Sequence, residues 1–353
     1  MKYNYLVNAK FLAQPMSGVQ RFAAEISLEL AKEREDILFL SPKNIIHEDI
    51  AAKLPLKKIG VNKGTIWEQV DLPLFLWGKK IPLLCLANTA PLFYSKYLVC
   101  HHDITYIRYP ETLSRKARLW YSLLMPKVIK NAKKVVTVSE FSKKDISLYY
   151  ALDEKKVDVV YNSVPSSFVK LNKKNNKSNY FLMVSSLNLH KNIDFVIRAF
   201  DDVKSEGMSL KVVGDVSHIF SRNNKENTGN VEYLGRVSDS DLTSLYQNAR
   251  GFIFPSLYEG FGIPPLEAQA LGCPVLASNA ASIPEILKDS ALYFSPYDEQ
   301  DFLDKIQMML SQDSIKDELV LKGQENVKRF SWQSSTKKLL SIIDTLNANG
   351  GWR

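Results

Sequence analysis

The chain has 353 residues, a formal net charge of +8, 45% hydrophobic and 24% charged residues. That balance belongs to a folded globular protein and excludes a disordered chain or a disulfide miniprotein; with Gly and Pro at 15 each, it also excludes collagen-like and low-complexity sequence. The length predicts two domains, and a pI of about 9.1 favours an anionic partner, whether nucleic acid, an acidic membrane surface or a phosphorylated small molecule.

The N-terminal stretch MKYNYLVNAKFLAQ is broken by polar residues and lacks the apolar run of a signal peptide. No window reaches the ~18 apolar residues of a membrane span. Cys85, Cys100 and Cys273 are sparse and lack metal-ligand spacing, so they are expected as buried thiols in a reducing compartment. A soluble, cytoplasmic protein is expected.

Strands are predicted at 3–8, 36–41, 83–88, 96–103, 132–139 and 158–163, with helical patterns at 19–32 and 114–131. The polar stretch 171–179 reads as a linker; its Asn176-Lys177-Ser178 sequon carries no weight in a cytosolic chain. The alternation then restarts, with strands at 180–186, 209–214, 231–235, 251–256 and 274–279. Helices fill 192–205, 239–249, 265–271 and 298–311, and a terminal helix spans 330–347. Strands separated by helices predict two α/β units with parallel sheets. A ligand is expected beyond the carboxyl ends of the strands.

The most informative stretch is GFIFPSLYEGFGIPPLEAQALGCPVLASN, 251–279. A strand runs into a loop with Gly260 and Gly262, which permit positive φ and close backbone approach to a ligand. Pro264 and Pro265 fit a helix start, and Gly272 a helix stop. The helix start then offers its amides to a phosphate. Glu259 lies in the loop and Glu267 in the expected first helical turn, with seven residues between them. Taken singly, Glu267 also reads as a residue placed by the helix dipole and Glu259 as a solvated loop charge.

This pattern resembles the E-x7-E signature of the retaining glycosyltransferases of family 4, which have the GT-B fold. The resemblance extends over most of the chain: Ser17-Gly18-Val19-Gln20-Arg21 is similar to the family's N-terminal glycine loop, and His102-Asp103 with Tyr109-Pro110-Glu111 to a motif of its mannosyl- and rhamnosyltransferase-like branch. Val138 to Ser142, Tyr161-Asn162-Ser163-Val164 and His190-Lys191-Asn192 resemble further family segments. The implied fold is α/β: two Rossmann-like, doubly wound parallel-sheet domains facing across a cleft. Residues 1–165 would form the acceptor domain, with the helix 331–353 packing back on it, and 166–330 the sugar-nucleotide donor domain.

The resemblance also implies roles. Glu267 would bind the ribose hydroxyls and Glu259 the donor sugar, with the backbone of Gly260, Phe261, Gly262 and Ile263 touching sugar and phosphates. Lys191 would neutralise the pyrophosphate, His102 would lie near the reacting sugar, and Val237 beside the nucleobase. Gly18 and Arg21 belong to the donor/acceptor loop, and Asn162 to the donor side. Two departures weaken the phosphate assignment: Ser186 and His190 stand where many relatives carry Arg.

The implied reaction is metal-independent and cofactor-free transfer, with retention, of a hexose from a sugar nucleotide. The branch suggests GDP-mannose, with a deoxyhexose or UDP-sugar donor as the alternative. The acceptor would be a glycan or lipid-linked oligosaccharide of bacterial surface polysaccharide. A glycoside hydrolase using Glu259 and Glu267 and a non-catalytic sugar-nucleotide-binding scaffold are the competing readings.

Asp239-Ser240-Asp241 has the form of a metal-binding D-x-D, but its place at a helix start reads as a cap, and no metal site is expected. His101 and His102 on one strand point to opposite faces, so they do not readily share an ion; His101 reads as structural. The stretch 114–134 interleaves seven Lys or Arg with apolar residues. It reads either as a helix pair resting peripherally on the inner face of the cytoplasmic membrane or as a core-packed helix with a solvated basic face. No nucleic-acid recognition element, G-x-G-x-x-G, G-x-S-x-G or Walker A motif is present.

Overall fold

The computed structural model describes residues 3–165, 168, 178–186, 188–203, 207–214 and 230–352. Residues 171–177 of the stretch read as a linker, with Asn176 and Lys177 of the sequon, lie outside the described residues, as do the last two positions of the helix read at 192–205. The chain forms two compact units. One comprises Met1–Ile104, Leu113–Asn162 and Ser331–Arg353, the other Thr105–Thr112 and Ser163–Phe330.

The first unit holds a seven-stranded sheet of β1 (Tyr5–Asn8), β2 (Ile37–Ser41), β3 (Leu56–Lys58), β4 (Leu83–Cys85), β5 (Tyr97–Cys100), β6 (Lys134–Thr137) and β7 (Val157–Val159). Its order is β3-β2-β1-β4-β5-β6-β7, and every pairing is parallel. Helices on its faces bury both sides of the strands, which explains runs such as YLVN and YLVC that are apolar without alternation. The order reverses between β1 and β4, and in open α/β sheets a ligand crevice opens beyond that switch point.

The second unit repeats the plan with six parallel strands: β8 (Tyr180–Val184), β9 (Ser209–Val213), β10 (Val231–Gly235), β11 (Gly251–Phe254), β12 (Val275–Ser278) and β13 (Leu292–Phe294). The order β10-β9-β8-β11-β12-β13 reverses between β8 and β11. Its core is aromatic. Phe195 stacks on Phe294 with ring centroids 6.2 Å apart, and Phe302 meets Phe294 edge-on at 5.0 Å. At Gly214, φ is +138° and an added Cβ would lie 1.8 Å from the Ser185 carbonyl oxygen, so the chain leaves β9 through a passage only glycine fits.

Several elements differ from expectation. The strand read at 158–163 shortens to Val157–Val159. The stretch 114–134 forms one helix, Arg115–Asn131, as the pattern at 114–131 predicts, and not the helix pair of the alternative reading. The helix runs through Pro126, which forfeits one backbone bond, and Ser114 caps it. The helical segment over 64–76, with a π-helical turn at Trp67–Asp71, had no distinct sequence signal, because Gly64 and Pro73 interrupt its pattern. The terminal helix is Trp332–Ala348, capped by Ser331. It packs on the helix Gly18–Glu33 within the first unit. Among the described residues no helix is long and apolar enough to cross a membrane. Cys85, Cys100 and Cys273 are buried thiols.

The first unit also buries a charged quartet at its switch point. Lys10 Nζ lies 2.6 Å from Glu68 Oε2 and donates to Thr89 Oγ1 at 2.8 Å. Asn8 Nδ2 donates to the other Glu68 oxygen at 2.7 Å. Removing one partner of such a pair leaves a buried unpaired charge, at about 3–5 kcal/mol. Lys10→Ala is therefore expected to destabilise the first unit by roughly that amount, and Lys10→Met/Glu68→Leu by less. All five tryptophans belong to this unit, so urea titration followed by tryptophan fluorescence reads both variants.

Candidate active site

In the second unit the switch point puts two segments together. β8 leads to the short turn Leu189–Lys191, and β11 leads to the loop before the helix Ile263–Ala270. Leu257 N donates to the His190 carbonyl at 2.7 Å and ties them. Asn192 ends the turn in the left-handed region, with its side-chain amide on Pro296 O at 3.0 Å. Lys191 is thereby aimed at the loop, and its Nζ stands 2.6 Å from Glu259 Oε1. Both side chains are partly shielded from solvent, so the pair is one local dipole rather than two independent charges.

The loop is held from beneath. Ser282 Oγ donates to the Glu259 carbonyl at 2.9 Å and lies 3.3 Å from that of Phe261. Phe261 sets its ring edge-on to Phe330 at 5.4 Å. Gly262 caps the helix at φ +93°, where a side chain would be strained and a Cβ would press on the Phe254 ring at 3.3 Å. The helix begins at Ile263, so Pro264 and Pro265 occupy its second and third positions. Neither carries an N–H. The donors for an anion therefore reduce to the amides around Gly262 and Ile263, with Lys191 as the cation.

Glu267 lies in the second helical turn, not the first, because the helix starts two residues earlier than the prolines suggested. It is buried, and Tyr246 Oη donates to its Oε2 at 3.2 Å. Burial and the Glu267 charge push the Tyr246 hydroxyl well above its usual pKa, so it stays a donor. Gly272 stops the helix at φ +71°, with Cys273 N returning to Ala268 O at 2.8 Å.

Ser186 accepts from Asn188 Nδ2 at 3.1 Å near the same turn. Val237 lines a groove with Tyr180, Leu234 and Leu245. Asp239-Ser240-Asp241 opens a helix capped by Ser238, whose Oγ accepts from Asp241 N at 3.1 Å. In Thr105–Thr112, which belongs to this unit, the Tyr109 ring packs 5.6 Å from His190 and 6.0 Å from Tyr258.

The remaining expected residues belong to the first unit. His102 follows β5. Its N–H donates to Asn88 Oδ1 at 2.9 Å, and its carbonyl accepts from Thr137 Oγ1 at 2.9 Å. Its ring stands edge-on to Phe22 at 4.9 Å. Gly18 opens the helix that carries Arg21 and Phe22, so this unit gathers His102 with the start of that helix. Burial raises the carboxyl pKa of Glu25, one turn on from Arg21, and the Arg21 charge offsets part of that rise. Asn162 is buried, and its Oδ1 has no partner among the described residues. Sequence reasoning missed Tyr246, Ser282 and Asn88. Tyr246 sits at ordinary helical spacing and reads as core, whereas Ser282 and Asn88 act only through distant backbone.

Two family descriptions match the chain: Glycosyltransferase Family 4 over residues 16–168 and Glycosyl transferases group 1 over residues 167–329. The chain is 35% identical over 233 residues to the O-antigen chain mannosyltransferase RfbU of Salmonella typhimurium, covering 64% of each. It is 29% identical over 265 residues to O-antigen chain mannosyltransferase B of Escherichia coli, 69% of each. The matched stretch thus spans somewhat less than two thirds of the Salmonella protein's length.

Among solved structures, HepE of Anabaena in complex with UDP and glucose superposes with a TM-score of 0.75 at 16% identity, over 98% of this chain and 100% of that one. Sucrose-phosphate synthase of Thermosynechococcus elongatus gives 0.73 at 15%, over 98% and 99%. At such identities the likeness carries the fold. The chain belongs to the glycosyltransferases of family 4, with the GT-B fold.

Burial holds His101 and His102 neutral, pushing both down to about 4, against the opposing charge of Asp103. Unfolded imidazoles bind protons near 6.5, so between these values the unfolded state holds more protons. Stability is then full above about pH 6.5 and falls on acidification toward 4. The urea midpoint by tryptophan fluorescence is expected to drop between pH 7 and 5 and to flatten in His101→Gln/His102→Gln. An unchanged midpoint in the wild type removes this role for the two histidines.

Proposed function

We propose that the protein transfers a hexose from a sugar nucleotide to a glycan or lipid-linked oligosaccharide acceptor. The observation that carries this is the switch-point arrangement of the second unit, where the Lys191–Glu259 pair, the Gly262 helix cap and the Tyr246-held Glu267 lie on consecutive segments around one strand end. A diphosphate meets Lys191 and the amides near Gly262, the ribose hydroxyls donate to Glu267, and the sugar hydroxyls to Glu259. When the diphosphate takes Lys191, Glu259 is released from its ion pair to accept from the sugar.

The reading includes retention of anomeric configuration, without metal or cofactor. The acceptor oxygen bonds to the anomeric carbon as the bond to the phosphate oxygen breaks, and the acceptor proton passes to that leaving oxygen. Charge developing on the diphosphate is stabilised by Lys191 and the loop amides. His102, held neutral, and the Gly18–Arg21 segment serve the acceptor side; Ser186, Asn162 and Val237 serve the donor. The two mannosyltransferase relatives support mannose, with GDP-mannose as donor, for bacterial O-antigen or capsule. Peripheral contact with the inner membrane belongs to the same reading, and the exposed Leu119 and Leu123 on the basic helix Arg115–Asn131 support it.

A ligand at 100 times its dissociation constant adds about 2.7 kcal/mol of stability. A thermal-shift series with GDP, UDP, dTDP and ADP is expected to select GDP; no shift with any of them sinks the reading. Lys191→Ala is expected to lower turnover by about a hundredfold or more, as loss of one charge-stabilising group does, and Glu259→Ala and Glu267→Ala to lower kcat/KM for the donor, because each removes an acceptor for its hydroxyls.

Tyr246→Phe keeps the ring and loses the hydrogen bond to Glu267. It is expected to raise donor KM several-fold with little change in kcat, and to narrow the preference for GDP over its 2′-deoxy form. Equal KM in both proteins would show that Tyr246 is packing alone.

A further inference from the structure

The buried quartet of the first unit has no part in the transfer reading, although it lies beside residues that do. Asn8, Lys10, Glu68 and Thr89 are all buried. Apolar residues of similar volume commonly stabilise a fold as well as a buried ion pair does. Stability alone therefore does not account for two charges here, and what they hold is the better guide.

They hold the loop after β4, residues 86–92. Thr89 Oγ1 accepts from Lys10 Nζ at 2.8 Å and donates to Glu68 Oε2 at 2.7 Å. Asn8 secures both charged residues, its Nδ2 donating to Glu68 Oε1 at 2.7 Å and its Oδ1 accepting from Lys10 N at 3.1 Å. Gln69, next in the chain to Glu68, takes the same loop further on. Its Nε2 donates to Ala90 O and its Oε1 accepts from Leu92 N, both at 3.0 Å. Successive side chains on a helix diverge by about 100°, so the loop is gripped from two directions. Glu68 and Gln69 lie in the π-helical turn Trp67–Asp71, which is itself anchored. Trp67 Nε1 donates to Ile59 O at 2.9 Å, and Asp71 takes the N–H groups of Val61 and Asn62. Such turns frequently mark functional places in a helix.

The other side of the loop meets the end of β5. Asn88 sits at φ +65°, in the left-handed region. Its N–H donates to Cys100 O at 2.9 Å, and its Oδ1 accepts from His102 N at 2.9 Å. His101 Nδ1 lies 3.4 Å from Asn88 O, and His102 Nε2 lies 3.5 Å from Leu86 O. Thr89 is the next residue after Asn88, so the ion pair grips the chain one residue from the group that holds the His102 backbone.

We infer that Lys10, Glu68 and Gln69 are positioning residues: they fix the loop 86–92 so that Asn88 sets the backbone of His102 and with it the imidazole. The use made of His102 rests on the proposed transfer, whereas its placement does not, and the test reads the two separately.

The chain has five histidines, so selective isotope labelling of histidine gives an amide spectrum of few signals, in which His102→Gln identifies His102. Turnover is read alongside as GDP release from GDP-mannose, with a mannose-terminated oligosaccharide as acceptor. Lys10→Met/Glu68→Leu, which is expected to keep the fold, and Thr89→Val, which keeps the shape but loses the hydroxyl, are expected to move the His102 signal. Asn88→Gly keeps the left-handed turn, loses the acceptor and moves it furthest. In all three kcat falls by about tenfold or more with donor KM unchanged, as a small misplacement near the reacting atoms does. Thr89→Ser retains the wild-type signal and rate. A purely structural role would lower the urea midpoint of these variants and leave the His102 signal and kcat in place. That result overturns the inference, as does Thr89→Ser behaving like Thr89→Val. Should the wild type release no GDP, the transfer reading fails, and the His102 signal alone decides the positioning.

Discussion

A parallel sheet covered on both faces leaves polar chemistry only at its ends. The strands β1, β4, β5, β11 and β12 are buried along their whole length. Groups that meet a ligand must therefore come from the loops that follow the strands, and they converge where the strand order reverses. In the second unit that is between β8 and β11. Lys191 comes from one side of this point and Glu259 from the other, and the Leu257–His190 backbone bond keeps the two segments in register. The first unit obeys the same constraint, with Asn8, Lys10 and Thr89 meeting Glu68 beyond β1 and β4.

Each polar side chain at these points is held by another group. Ser282 grips the loop backbone, Tyr246 fixes Glu267, and Asn88 fixes His102. Such second contacts matter because positioned charge stabilises a developing anion without reorganising when the charge appears. The Lys191–Glu259 pair holds both side chains at once, and in the proposed reaction an incoming diphosphate exchanges one anion for another at the lysine. The two prolines at the helix start remove N–H donors, which in the proposed reaction leaves more of the phosphate's charge to Lys191.

Much of this was legible in the residues. The period of apolar runs announced two α/β units, and Gly262, the prolines and Gly272 marked the loop, the helix and its end. The position of Glu267 was misread by one turn, because prolines mark a helix start only to within a few residues: they are tolerated anywhere in the first turn. The helical segment at 64–76 escaped notice because Gly and Pro break its pattern, and tertiary packing of Trp67 and Leu72 stabilises it instead. Pro126 sits within one continuous helix, since packing of Leu124, Met125, Val128 and Ile129 outweighs one lost backbone bond.

Chemistry that is local in the chain was determined by the sequence alone: most of the strands, though not the three-residue β3 and β13, the glycine that turns left-handed before the helix, and which carboxylates flank a glycine loop. The family could be read from the order of those segments. Only the tertiary structure decided which residues act as partners. Lys191 and Glu259 stand 68 positions apart, and Lys10 and Glu68 stand 58. No local preference encodes such a pairing, because it arises from strand order, and strand order is settled by the burial of whole elements against one another rather than by any residue's neighbours in the chain.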